Sequence, residues 1–147
     1  MLGSRLVRLI ERHSEQLADG LMSKLRNSDR TSEYRKIPQD ELRNAAHEIY
    51  RNLGDWLITK TESDIEVRYS QIGARRVEQG VSICQFVWAI LLAKEHLWAF
   101  LQRESMVDTA PELYSELELL QLLDLFFDRA VYYAVVGYDR ARQRKVA

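Results

Sequence analysis

The chain has 147 residues, 46% of them hydrophobic and 29% charged, the size and balance of one globular domain with a full core of its own. Its 21 basic and 22 acidic residues leave a net charge of −1, so no global field draws nucleic acid or an anionic membrane. The single cysteine, Cys84, excludes an internal disulfide and a cysteine-based zinc site, and it fits a reducing, cytoplasmic setting.

Met1 to Arg5 runs straight into an amphipathic pattern, with no apolar leader ahead of it. No stretch alternates at period two, and helical spacing dominates. The first helix is expected over Ser4 to Asn27, with Leu6, Ile10, Leu17, Leu21 and Leu25 along one stripe. Asn27 to Lys36 is polar and reads as a loop. A second helix starts near Pro38, which a first turn tolerates, and ends near Lys60. Its Leu42, Ala46, Ile49, Leu53 and Trp56 follow at spacings of four, three, four and three, a bundle seam.

The third helix is expected to open at Ser63 with Glu66 three residues on, a capping box. Ile65, Tyr69 and Ile72 mark its inner stripe, and Gly80 stops it. Ser82 with Gln85 reads as a second box that starts the fourth helix, running to Glu104. Thr109 with Glu112 reads as a third, and the fifth helix then continues to about Arg142. The expected fold is therefore all-α, an antiparallel bundle of about five helices in one domain over 1–147, with 139–147 a basic helix end or tail.

No window holds about 18 uncharged apolar residues, so no membrane insertion is expected. The nearest, Leu117 to Tyr138, carries Glu118, Asp124, Asp128 and Arg129 and reads as a buried helix. Leu119, Leu120, Leu122, Leu123, Leu125, Phe126 and Phe127 cover several faces of it. That much apolar surface implies a central helix or a homodimer.

Arg75 and Arg76 are the sharpest polar feature, and two readings stand. They form an anion clamp or a buried ion pair, since guanidinium grips carboxylate bidentately. Alternatively they are last-turn cations that complement the helix dipole. Gln79 and Trp88 flank the bend that follows. His96 and Trp98 sit on an apolar run with aromatic residues on several faces, as a pocket for a small apolar ligand would require. His96 is the best of three histidines for a haem, but a core-edge histidine is the favoured reading. No pair of histidines has metal-ligand spacing, and no nucleophile, base and acid assemble from local motifs. The sequence points away from an enzyme, and the basic end favours no nucleic acid on a neutral chain.

The order of these features resembles the N-terminal domain of RsbR-type stressosome proteins, of the RsbRD-like variety, also found at the front of bacterial histidine kinases. The residues that carry the likeness are Ile72-Gly73-Ala74-Arg75-Arg76, Gln79-Gly80-Val81-Ser82, Phe86-Val87-Trp88-Ala89, Lys94-Glu95-His96-Leu97-Trp98, Phe126 to Ala134, and Gly137-Tyr138, with Tyr34 in the first loop. The resemblance implies a non-catalytic, all-helical sensory domain that dimerises and signals through its C-terminal helix to a kinase or another effector. Gln85 departs from the pattern, standing where an acidic partner for Arg76 is expected. The family names no ligand or cofactor. The leading expectation is a sensor that relays through helix packing. The alternative is a small-molecule or haem carrier with a cavity of about 300 Å³ or more.

Overall fold

Helical spacing gives helices throughout: the computed structural model describes residues 4–104 and 109–146, and these contain eight helical segments and no strand. They are α1 (Ser4–Arg12), α2 (Ser14–Asn27), a 3₁₀ stretch (Asp29–Lys36), α3 (Gln39–Arg51), a π turn (Asp55–Thr59), α4 (Glu62–Glu78), α5 (Ile83–Glu104) and α6 (Ala110–Val146).

The count exceeds the expected five for local reasons. His13 leaves helical geometry at φ −101° and ψ 19°, and its Nδ1 hydrogen-bonds the Leu9 carbonyl at 2.9 Å. The first helix therefore breaks in two while its apolar stripe continues. The segment read as a loop winds into 3₁₀ turns around Thr31, whose buried hydroxyl donates to Leu25 O at 2.6 Å and so closes the end of α2. The expected second helix ends in the π turn, where Lys60 N donates to Asp55 O at 2.7 Å.

Two of the expected caps shift. Thr61 and Asp64, two residues before the expected pair, form the capping box of α4: Thr61 N donates to Asp64 Oδ2 at 2.8 Å and Asp64 N to Thr61 Oγ1 at 3.2 Å. Ser82 and Gln85 do not cap each other. Ser82 Oγ and N donate to Glu33 Oε1 at 2.6 and 3.0 Å, and Gln85 Oε1 accepts from Glu33 N at 2.7 Å. The box is reciprocal but spans two segments, so it pins the 3₁₀ stretch onto the start of α5. These bonds hold the Glu33 carboxyl below its usual pKa. Thr109 Oγ1 accepts from Glu112 N at 3.3 Å at the start of α6, as expected.

Paired residues fix the helix directions. Asp19 with Arg43 and Ser14 with His47 set α2 against α3, antiparallel. Glu41 with Arg75 and Glu48 with Arg68 do the same for α3 and α4. Lys94 with Asp124 and the ring pair Phe86–Tyr138 run α5 antiparallel to α6. By contrast, α4 and α6 are parallel: Glu62 pairs with Arg129, and Gly73 packs on the segment from Ala134 to Tyr138. Trp56, Tyr69 and Phe126 fill the core between them, with ring centroids 5.9–6.1 Å apart.

Among the described residues, α5 rather than the Leu117–Tyr138 stretch is the helix long and apolar enough by length and composition to cross a membrane. Its Phe86, Ala89, Ala93, Leu97 and Phe100 are buried in the bundle.

The α4–α6 contact is made by backbone. A Cβ on Gly73 would stand 2.2 Å from Ala134 O and 2.7 Å from Tyr138 N; one on Gly137 would stand 2.2 Å from Ser70 O. Alanine normally gains about 1 kcal/mol over glycine inside a helix. Here the sign reverses. Gly73→Ala and Gly137→Ala each lower the unfolding free energy by at least the ~1–3 kcal/mol of an overpacked core, read by denaturant titration.

Candidate functional site

The end of α4 is a Schellman turn. Gly80, at φ +73°, lets Val81 N reach Arg76 O and Gly80 N reach Val77 O, both at 3.1 Å. This turn fixes the backbone of Arg76 as the chain bends towards α5.

Arg76 points inward and is 5% exposed. Its Nη1 donates to Gln79 Oε1 at 2.8 Å and to Glu41 Oε2 at 3.4 Å. Gln79 Nε2 closes the ring by donating to the same Glu41 oxygen at 2.6 Å. The guanidinium carbon lies 5.6 Å from the centre of the buried Tyr34 ring. Burial pushes that phenol up to about 12, against the opposing pull of Arg76. Arg75 points outward with its side chain 49% exposed, and bonds Glu41 Oε1 at 2.9 Å and Glu78 Oε2 at 3.1 Å. One carboxylate on α3 therefore serves two guanidiniums on α4. Arg75 first, then Gln79 and Arg76, hold the Glu41 pKa below its ordinary value.

Two hollows meet at this cluster. A polar cleft of about 300 Å³ lies between α3 and α4, walled by Glu41, Glu48, Arg68, Arg75 and Arg76. An apolar cavity of about 80 Å³ adjoins it, sharing Ala45, Ile72 and Arg76 as walls and lined by residues from α2 to α6. The carrier reading required a cavity of about 300 Å³ or more between the expected third, fourth and fifth helices; the apolar cavity falls well short of that, and the cleft of that size lies between α3 and α4. Among the described residues, no three His, Cys, Asp or Glu side chains gather to hold a metal.

A family model, the RsbT co-antagonist protein rsbRD N-terminal domain, matches residues 4–147. The chain belongs to this family. Comparison with curated proteins and with solved structures yields no match. The rsbRD N-terminal domain is a stressosome-related sensory and regulatory family.

In this rsbRD domain the six singled-out residues divide in two. Arg75, Arg76 and Gln79 gather around Glu41. Trp88, His96 and Trp98 do not join them, and none of the three lines the apolar cavity. Trp88 instead carries the Arg30 guanidinium over its ring at 4.4 Å, a cation–π contact. His96 is a buried core histidine whose Nε2 meets Leu17 O at 3.0 Å, with its ring against Gly20 of α2. Burial lowers its pKa, so it is held neutral. Its Nδ1 and the buried Trp98 Nε1 have no partner among the described residues. With Nε2 committed to a helix carbonyl and no space on the Gly20 side, His96 is poorly placed to ligate haem.

The expected acidic partner of Arg76 is not at position 85. It is Glu41, and Gln85 serves the 3₁₀ stretch instead. Glu41 escaped sequence reading because only tertiary contact brings α3 to α4. The inward aim of Arg76 had a signal, because it continues the stripe Ile65, Tyr69, Ile72 by four residues.

Glu41→Ala leaves a buried charged donor short of its acceptor and lowers stability by about 1–3 kcal/mol. Arg75→Ala breaks only half-exposed pairs and costs under about 1 kcal/mol. Because the folded pKa of Glu41 is depressed, its contribution is present above the unfolded carboxylate value and is lost as pH falls through the folded one. Unfolding titrations of wild type and Glu41→Ala therefore differ most near neutrality and converge in acid.

Proposed function

We propose that this domain is a cytoplasmic, non-catalytic input module. A stimulus rearranges the Arg76–Glu41–Gln79 cluster, and α6 carries the change to a kinase or stressosome-type effector. The observation that supports this most is a single hydrogen bond. Tyr138 Oη, on α6, donates to Val81 O at 2.7 Å, on the bend immediately after Arg76, Gln79 and Gly80. The output helix is thus tied to the segment the cluster holds. It runs on as helix to Val146, as a relay through its C-terminal part requires. A shift of the bend then has a direct route into α6, because the bond and the glycine contact both resist independent movement.

The module works as a homodimer in this reading. Tyr114, Leu125 and Tyr132 stand 70%, 50% and 61% exposed on α6. They are eleven and seven residues apart, which puts them on one side of the helix, with Leu117 beside them at 52%. Native mass spectrometry is expected to give twice the 17.3 kDa chain mass. The doubly substituted Leu125→Glu, Tyr132→Glu protein is expected to return to the single mass. A single mass for the unaltered chain removes the dimer from the proposal.

The relay is tested by hydrogen–deuterium exchange. Tyr138→Phe keeps the ring against Phe86 and deletes one bond worth about 1 kcal/mol, so exchange in α6 beyond Gly137 should rise about fivefold. Glu41→Ala, more than 30 residues away on another helix, should speed exchange in both the bend at 79–82 and α6 beyond Gly137. If Glu41→Ala loosens the bend and leaves α6 unchanged, the relay is wrong.

A further inference from the structure

Among the described residues, one charged side chain reaches the apolar cavity, and it is Arg76. Tyr69, Ile72 and Arg76 follow at three and four residues on α4. One face of that helix therefore offers the cavity a phenol, a branched aliphatic chain and a guanidinium. The facing walls are apolar and include Ala46 of α3, Phe86 and Ala93 of α5, and Phe127 of α6.

The guanidinium is incompletely used. Glu41 and Gln79 both engage Nη1. Among the described residues, Arg76 Nε is shut from solvent with no hydrogen-bond partner. A buried donor on a charged group costs free energy when left open. The Nε edge of a guanidinium grips carboxylate through two parallel N–H bonds. Access exists as well, because Ala45, Ile72 and Arg76 are walls of both the cavity and the polar cleft.

We propose that this cavity binds a short-chain monocarboxylate, with its carboxylate on the Nε edge of Arg76 and its tail against Ile72, Phe86 and Ala93. The proposal rests on the input-module reading and supplies its stimulus. Size sets the tail. A cavity of roughly 150 Å³ holds benzene, so about 80 Å³ takes a tail of about two to four carbons. Inorganic phosphate leaves the apolar walls unused, and a long fatty acid exceeds the space.

Calorimetric titration of the full chain tests the site with butyrate, butyramide and inorganic phosphate as probes. Butyrate is expected to bind at least tenfold more tightly than butyramide or phosphate. Arg76→Gln should weaken butyrate at least tenfold and leave butyramide unchanged. Ala45→Leu keeps every hydrogen bond of the cluster and fills the shared wall, so it should abolish butyrate binding while the unfolding midpoint holds. That variant decides the matter even if Arg76→Gln fails to fold. Equal affinity for butyrate and butyramide, or butyrate binding unaffected by Ala45→Leu, overturns the proposal. Exchange in α6 is followed on the same samples. Butyrate binding without an α6 response upholds the site and removes the relay, whereas a relay triggered by Glu41→Ala in a chain that binds no butyrate removes the site alone.

Discussion

Two helices of this bundle touch at the main chain, and the rest of the architecture depends on that contact. Gly73 and Gly137 leave no room for a Cβ against Ala134 O and Ser70 O, and the fully buried Ala134 lies in the same seam. Small residues permit close approach, and close approach lets short side chains and backbone pack without gaps. Because α4 and α6 are parallel and in direct contact, the chain must return along the bundle after α4 and before α6, and α5 makes that return. That return places the bend at Gly80 beside Tyr138, and the bend in turn sets the inward aim of Arg76. Geometry at one glycine pair thus determines where the polar cluster sits.

The cluster is an uncommon use of a buried charge. Arg76 is almost fully covered, and replacing a buried ion pair with apolar residues often stabilises a fold. Its value here is better understood as conformational. The pair holds α3, α4 and the 3₁₀ stretch in one arrangement through Glu41, Gln79 and the Tyr34 ring. Such a group discriminates sharply between arrangements, because any movement that strands the guanidinium is penalised in a low-dielectric setting. A two-state input element needs that property.

Much of this was legible in the chain. Apolar spacing located every long helix, Gly80 marked the end of α4, and the motif around Arg76 pointed to the family. The misreadings have physical causes. The stripe Leu6, Ile10, Leu17 keeps its period across His13, so periodicity could not register a break that lies in the backbone. Thr61-x-x-Asp64 and Ser63-x-x-Glu66 have the same pattern in sequence, and only geometry selects the first. Ser82 and Gln85 had the right chemistry but found their partner, Glu33, about 50 residues away in sequence. Trp88, His96 and Trp98 lie close in sequence to the apolar run yet project to different surroundings, and composition alone cannot separate the faces of a helix that is apolar nearly all round.

The glycine clamp also constrains the kind of motion α6 can deliver. Turning α6 about its own axis by one residue, about 100°, would carry Gly137 away from Ser70 and bring a residue with a side chain into a contact that has no room for a Cβ. Sliding α6 by one residue would do the same. The seam is therefore a key in its slot: α4 and α6 turn, tilt and shift as one body or lose their contact.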